Sequence, residues 1–303
     1  MENTDTIYAV VVTYNRLKLL QRTVECLRLQ TRPLKGIVVV NNSSTDGTAS
    51  WLAQQNDLIV LNQPNVGGAG GFASGIRYAR GLGAQWIWCM DDDVFPRPAC
   101  LEKMLPHTSE AGVGILAPRR LMEDKIFTND FLSYNLTNPL ASLHNGKLKK
   151  MVVNAPTDIA GTAFEGLFVS AACVDSIGLP NAELFIFSDD TDYCLRAKLA
   201  GYRILYIPDA LMDKHHFFNK ASWTERQQQK KWKRRYAIRN NTYLNHHYGR
   251  NNAVRYLRPF IGMFGYVLTA CITAPFSSGY QWKDIPMMWQ AYKDGLAERL
   301  GKY

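Results

Sequence analysis

Three times in its first eighty residues the chain repeats one alternation: a short apolar run, a polar signature, then apolar positions at helical spacing. Tyr8 to Thr13 ends in Tyr14-Asn15-Arg16, after which Leu17, Leu19, Leu20, Val24 and Leu27 recur at the helical period. Gly36 to Val40 ends in Asn41-Asn42-Ser43-Ser44-Thr45-Asp46, whose Ser and Thr residues suit the cap of a helix through Trp51 and Leu52. Leu58 to Leu61 is followed by Asn65-Val66-Gly67-Gly68-Ala69-Gly70-Gly71-Phe72 and a helix carrying Phe72, Ile76 and Ala79 on one face. A fourth apolar run, Trp86 to Met90, delivers Asp91-Asp92-Asp93 and is closed by Pro96. Strands alternating with helices at this density predict an α/β fold with a parallel sheet, because parallel neighbours need crossover connections. Ligands on such sheets gather at the carboxyl ends of the strands, and every polar signature falls there.

Beyond Pro96 the pattern is less regular. A short helix is predicted over Pro98 to Leu105 and strands over Val113 to Ala117, Phe164 to Ser170 and Ile204 to Ile207, with long loops and one hairpin between 118 and 158. Leu184-Phe185-Ile186-Phe187-Ser188 runs into a second acidic group, Asp189-Asp190-Thr191-Asp192, at the start of a helix. Lys220 to Asn240 is helical in pattern and strongly basic, with aromatic residues interleaved. Pro259 to Phe276 then carries no charge at all. A solvated helix face or an anchor on anionic lipid explains the basic segment; the apolar one is read first as lying on or dipping into a membrane, with a spanning tail or a buried core helix as alternatives.

Composition narrows the classes. With 47% hydrophobic and 20% charged residues over 303 positions, disorder and fibrous repeats are excluded. A net charge of +9 implies an anionic partner. The six cysteines form no C-x-x-C pair, which argues against a zinc site and for thiols in a reducing cytosol. The five-residue apolar run at Tyr8, preceded by Glu2 and Asp5, is too short and wrongly flanked for a signal peptide.

Three adjacent carboxylates repel, and the two ordinary remedies are full solvation or a divalent cation held by oxygen ligands. Asp189 and Asp190 have a bland reading as caps for free N–H groups and a sharper one as catalytic groups. A nucleotide cleft at strand ends, an oxygen-ligand metal site and a separate carboxylate suit transfer from a nucleotide-activated donor: a cation neutralises the departing diphosphate and a base deprotonates the acceptor. Asp91 and Asp93 meet the first need and Asp190 the second, and His215, or alternatively His216, completes the metal shell.

The ordered set Val-Val-Thr-Tyr-Asn-Arg, Val-Val-Val-Asn-Asn-Ser-Ser-Thr-Asp-Gly-Thr, Asn-x-Gly-Gly-Ala-Gly-Gly-Phe, Met-Asp-Asp-Asp-Val and Phe-x-Asp-Asp-x-Asp-Tyr-x-x-Arg, from about Ala9 to Asn240, resembles the inverting family-two bacterial glycosyltransferases. Within them it is most similar to galactofuranosyltransferases, with rhamnosyltransferases next. The resemblance implies a GT-A fold, Rossmann-like with a mixed central sheet, over 1–245. Residues 1–96 would form a nucleotide-binding half and 97–245 an acceptor-binding half, with a C-terminal helical, membrane-associating extension over 246–303. It implies that Thr13, Tyr14 and Arg16 line the uridine and diphosphate pocket, with Asn41 near the base where the family usually has Asp. Asn65, Gly67, Gly68 and Gly70 would let the backbone approach the donor. Asp91 and Asp93 would hold Mn²⁺ or Mg²⁺, with Asp92 nearer the sugar; Asp190 would be the base and Asp189 would position the acceptor. The expected reaction moves galactofuranose from its UDP donor, or rhamnose from dTDP-rhamnose, onto a glycan or lipid-linked glycan of a cell-surface polysaccharide. The expected location is the cytoplasmic face of the bacterial inner membrane, on an anionic surface, with homo-oligomer formation left open.

Two other classes fit the residues less well. Gly68-Ala69-Gly70-Gly71-Phe72-Ala73 satisfies G-x-G-x-x-A, but it follows the third strand rather than the first, so a dinucleotide oxidoreductase is disfavoured. A nucleic-acid binder would account for the charge yet leave both acidic groups facing phosphates, so no nucleic-acid partner is expected.

Overall fold

The structure, a computed structural model, describes residues 6–127, 130–148, 153–216, 222–276 and 279–303. Its first elements follow the alternation: β1 (Ile7–Thr13), α1 (Leu17–Arg28), β2 (Gly36–Asn41), α2 (Thr48–Leu52), β3 (Leu58–Asn62), α3 (Gly67–Gly81) and β4 (Trp86–Asp91). There follow β5 (Val94–Pro96), α4 (Cys100–Met104), β6 (Val113–Met122), β7 (Lys125–Ile126), β8 (Phe131–Tyr134), β9 (His144–Lys147), β10 (Thr157–Ile159), β11 (Leu167–Ser170), α5 (Ala171–Ile177), α6 (Asp189–Leu199) and β12 (Arg203–Lys214). Four helices close the chain: α7 (Trp223–Gln229), α8 (Arg234–Tyr248), α9 (Arg258–Thr273) and α10 (Ile285–Leu296).

Residues 1–133, 146–182 and 189–215 make one compact unit. Its main sheet runs β10-β12-β6-β11-β4-β1-β2-β3. The four strands of the opening alternation are parallel, while β11 enters antiparallel to both β4 and β6. Such a mixed sheet explains the near-continuous burial of β1 and β4, since a strand covered on both faces has no polar side to show. Helix α3 lies directly against it. A Cβ on Gly71 would come 2.5 Å from Val12, and one on Gly75 2.3 Å from Val10, so these glycines set the helix-to-sheet distance.

Residues 134–145, 183–188 and 216–303 make the second compact unit. Ile238 of α8, Met263 and Ala270 of α9, and Met288 and Ala291 of α10 share its core with Tyr280. The expected boundary at 245/246 therefore falls inside α8: the basic helix belongs with the C-terminal helices because its apolar residues pack against them. The expected halves 1–96 and 97–245 both feed the one large sheet.

Several elements differ from their sequence signals. β6 and β12 extend well past the predicted Val113 to Ala117 and Ile204 to Ile207, because they pair in parallel through a bulge between Ile207 and Leu211. The basic helix over Lys220 to Asn240 is broken into α7, a 3₁₀ turn at Lys231–Lys233, and α8, and its residues 220–221 lie outside the described residues. The predicted hairpin between 118 and 158 is the two-stranded sheet of β8 and β9.

Candidate active site

The polar loops after the first strands are laced into one rim. The β1–α1 loop meets the β2–α2 loop through the Ser44 hydroxyl and the Asn15 side-chain Oδ1, which accept N–H bonds from Asn15 at 3.0 Å and Thr45 at 2.6 Å, and through Asp46, which accepts the Leu17 N–H at 2.9 Å. Asn42 reaches the third loop by donating to the Gly67 carbonyl at 3.0 Å. Asn41 uses both ends of its amide, donating to Asn62 at 2.9 Å and accepting the Ser44 N–H at 3.0 Å. It shapes the rim from a buried position, while Tyr14 stands half exposed at the end of β1.

The glycines of the third loop divide by cause. Gly67 has φ +78°, a region that side-chain-bearing residues disfavour, and its N–H is accepted by Asn65 at 3.0 Å. A Cβ on Gly70 would strike the Val66 side chain at 2.6 Å, whereas one on Gly68 would meet nothing within 4 Å. Gly68 is thus the position where bare backbone faces open space.

At the end of β4 the acidic triplet is held from several directions. Thr13 donates to Asp92 at 2.7 Å; Arg16 donates to Asp92 at 3.1 Å and to Asp93 at 3.4 Å. The Thr23 hydroxyl on α1 donates to the Asp92 and Val94 carbonyls at 2.8 and 3.1 Å. Burial, moderated by Arg16, pushes Asp92 up to about 6. Because β5 pairs with the end of β12, Lys214 arrives beside the triplet and its ammonium lies 3.0 Å from Asp93. The same ammonium is 2.6 Å from Glu165, which precedes β11 and so lies next to the end of β4.

Carboxylate oxygens of Asp91, Asp93 and Glu165 lie within 4.8 Å of one another. Burial and the neighbouring Asp93 charge hold Asp91 well above the ordinary carboxylate range. Burial alone would raise Glu165 too, but Lys214 and Arg120 outweigh it and keep it low. Arg120, fully buried, is 3.2 Å from Glu165 and 2.6 Å from Asp130. An all-oxygen donor set in which burial and Asp93 disfavour ionisation of Asp91 suits a hard divalent cation such as Mg²⁺ or Mn²⁺, whose charge would offset both. The predicted ligands Asp91 and Asp93 come together; the third carboxylate here is Glu165, while His215 touches the group through its backbone N–H, which donates to the Asp93 carbonyl at 2.9 Å. Neither His215 nor its alternative His216 belongs to the three-carboxylate group.

The second acidic group sorts into two roles. Asp192 pairs with Arg196 one turn on at 2.9 Å, and Arg196 also donates to the Leu179 carbonyl at 3.0 Å, so this pair fastens α6 to the turn before it. Asp189 and Asp190 occupy the first positions of α6, where the dipole would favour ionisation. Burial wins: it pushes Asp189 up to about 8, with the Asp190 charge adding to it, and Asp190 up to about 6 despite the Thr191 N–H it accepts at 2.6 Å. A carboxyl poised near neutrality can take a proton in a reaction.

Within the C-terminal unit, the segment before Asp189 is strained. Phe185, Phe187 and Ser188 all have φ between 64° and 68°. The buried Asn240 amide on α8 holds it, donating to the carbonyls of Leu184, Ile186 and Phe187 at 3.0, 3.0 and 2.9 Å. Arg239 adds bonds to the Glu183 and Leu184 carbonyls, each at 3.2 Å.

Glu165 and Lys214 escaped the sequence reading. Glu165 is a lone charge in an apolar stretch and Lys214 follows Asp213 at the end of a strand, and sheet register alone brings them to partners dozens of residues away.

The profile of "Glycosyl transferase family 2" matches residues 8–169. The chain is 29% identical over 207 residues to galactofuranosyltransferase GlfT1 of Mycolicibacterium smegmatis, spanning 66% of this chain and 68% of that protein. It is 30% identical over 213 residues to the dTDP-rhamnosyl transferase RfbF of Shigella flexneri, 68% of each. Among solved structures it resembles the mannosyltransferase PcManGT from Pyrobaculum calidifontis in complex with GDP-Man and Mn²⁺, with a TM-score of 0.54 at 14% identity over 97% of this chain and 88% of that one. The chain therefore belongs to glycosyl transferase family 2: it is a nucleotide-sugar glycosyltransferase with a GT-A-like fold around a mixed sheet.

Proposed function

We propose that the chain transfers galactofuranose from UDP-galactofuranose to a hydroxyl of a glycan acceptor, with inversion at the anomeric carbon. The observation that carries the chemistry is the division of labour between its two acidic groups: an oxygen cluster for a cation at the end of β4, and a carboxyl raised to about 6 at the head of α6. Asp91, Asp93 and Glu165 would hold Mn²⁺ or Mg²⁺, which would supply positive charge to the departing diphosphate. Asp190 takes the proton of the acceptor hydroxyl as its oxygen bonds to the anomeric carbon from the face opposite the diphosphate; the bond to phosphate breaks and UDP leaves. Asp189, with the higher proton affinity, stays protonated near neutrality and orients the acceptor as a hydrogen-bond donor. Gly68 offers bare backbone to the donor, and Arg16 bridges the donor rim to Asp92 and Asp93.

The donor assignment is supported by the likeness to GlfT1, and the comparable likeness to RfbF favours a second reading, transfer of rhamnose from dTDP-rhamnose. Incubation of the purified chain with each donor and synthetic glycan acceptors, followed by mass spectrometry and release of UDP or dTDP, separates them. Turnover with UDP-galactofuranose and not dTDP-rhamnose is expected; the reverse result replaces the first reading by the second.

A further inference from the structure

The C-terminal unit carries nearly all of the chain's charge imbalance. Its segments hold 15 of the 35 Lys and Arg residues and 5 of the 26 Asp and Glu, a net of +10 that leaves −1 for the sheet-bearing unit. Its longest apolar helix is only half used. Met263 and Ala270 of α9 are buried in the unit's own core, with Tyr266 and Val267 packed against it. On the opposite side Phe260, Phe264, Leu268 and Ile272 are exposed at four-residue spacing, with Ile261 beside Phe260 and Phe276 just past the helix end, as one stripe. Trp289 of α10 extends the stripe, its ring 6.1 Å from Phe260. At the far end exposed Trp282 and Lys283 line a cleft with Ala274 and Pro275, and at the near end Arg255 and Tyr256 are exposed.

We infer that this stripe is a docking face for an anionic lipid bilayer, with α9 lying in the plane of the headgroups and its outer row immersed. A soluble surface rarely shows an uninterrupted row of this kind, and its frame of Trp, Tyr, Lys and Arg has the composition of a headgroup belt. Charge selects the occupant: a face on a unit of net +10 is repelled by a second copy of itself and attracted by acidic lipid. The attachment of α9 fixes the geometry. The helical stretch Ala253–Thr273 has the length and mean hydropathy, 1.2, of a membrane span, yet Arg258 is buried near its start, donating to the Asn135 carbonyl at 2.7 Å and to Asn245 at 3.0 Å. Crossing the bilayer would pull Arg258, Met263 and Ala270 out of the core they complete; lying in the interface costs none of these contacts. The face would bring a soluble-looking enzyme to acceptors that are themselves in the membrane, but the inference stands without the donor assignment.

The test is co-sedimentation of the full chain with vesicles of phosphatidylcholine alone and of phosphatidylcholine mixed with phosphatidylglycerol. Binding to the mixed vesicles is expected, at least about tenfold weaker for Phe264→Glu/Leu268→Glu and about tenfold weaker for Arg255→Glu/Lys283→Glu. Far-UV circular dichroism and the urea unfolding midpoint, monitored in parallel, are expected to be unchanged in both variants, which shows that they are folded. Equal vesicle binding by wild type and Phe264→Glu/Leu268→Glu overturns the inference. So does a wild-type dimer in sedimentation velocity that the same variant dissociates. Release of membrane-bound wild type by alkaline carbonate is expected; retention in the membrane overturns the in-plane geometry.

Discussion

At the end of β4, Asp92, Asp93 and Glu165 are met by cationic side chains, Arg16 and Lys214 within about hydrogen-bond reach and Arg120 behind Glu165. At the head of α6 burial dominates: the Asp190 charge adds to it at Asp189, while Asp190 itself feels Glu165, which raises it, and Arg120, which lowers it. The same residue type is thus placed in two opposite electrostatic settings. Beside Lys214 and Arg120, Glu165 stays ionised, whereas burial raises Asp91 and Asp92 in spite of their cationic neighbours, and a bound metal would favour their charged forms. At the head of α6 burial outweighs the Arg120 charge, and the carboxyls rise toward neutrality, where the proposed proton transfer needs them. Ionising that pair costs the fold: its stabilising contribution is full below the ordinary carboxylate range and is lost as pH rises through about 6 for Asp190 and about 8 for Asp189.

The largest expected effect breaks the proton-carrying side of the comparison. Asp190→Asn keeps the shape and removes the base, so kcat is expected to fall about 10³-fold while metal-dependent UDP binding, read by calorimetry, is unchanged. Retained turnover would transfer the role of base elsewhere. Next comes the cation-holding side. Glu165→Gln removes one charged oxygen and leaves Lys214 leaning on Asp93 alone, so metal affinity is expected to drop at least about tenfold, with turnover recovering at high Mn²⁺. An unchanged metal dependence would remove Glu165 from the cluster. The contrast should also appear without mutation: kcat/KM is expected to fall about tenfold per pH unit below about 6, because protonated Asp190 cannot accept the acceptor's proton. A flat acid limb down to pH 5 would show that Asp190 is not raised in the working enzyme.

How far each side was legible in the sequence follows from how local its determinants are. The parallel core of the sheet and its polar rim could be read because each strand and its loop are contiguous, and the triplet announces itself by adjacency. Asp189 and Asp190 were visible for the same reason. Glu165 and Lys214 were not, since their meeting depends on β11 entering antiparallel beside β4 and on β12 running past its bulge to reach β5. The boundary at 245/246 rests on the extent of the resemblance, whereas grouping by packing follows the buried face of α8, here Ile238, which a contiguous motif does not reveal.

The smallest expected effect concerns how the proton-carrying pair is held. Three residues with positive φ in the four before Asp189 cannot keep that conformation by themselves, and the Asn240 amide compensates by bonding three carbonyls of the segment. Asn240→Ala removes this donor from the part-buried Ile186 and Phe187 carbonyls, while Leu184 keeps Arg239, so stability is expected to fall by about 2 kcal/mol in urea titration. If the clamp sets where α6 begins, kcat also drops, by up to about tenfold, while the affinity for UDP and metal stays the same, because nothing at the end of β4 has moved. The split between kcat and binding is the informative reading: loss of stability with kcat intact would make Asn240 a brace for the C-terminal unit alone. Loss of both kcat and metal affinity would mean that the two acidic groups are not held independently, and the contrast between them would be a property of one shared site.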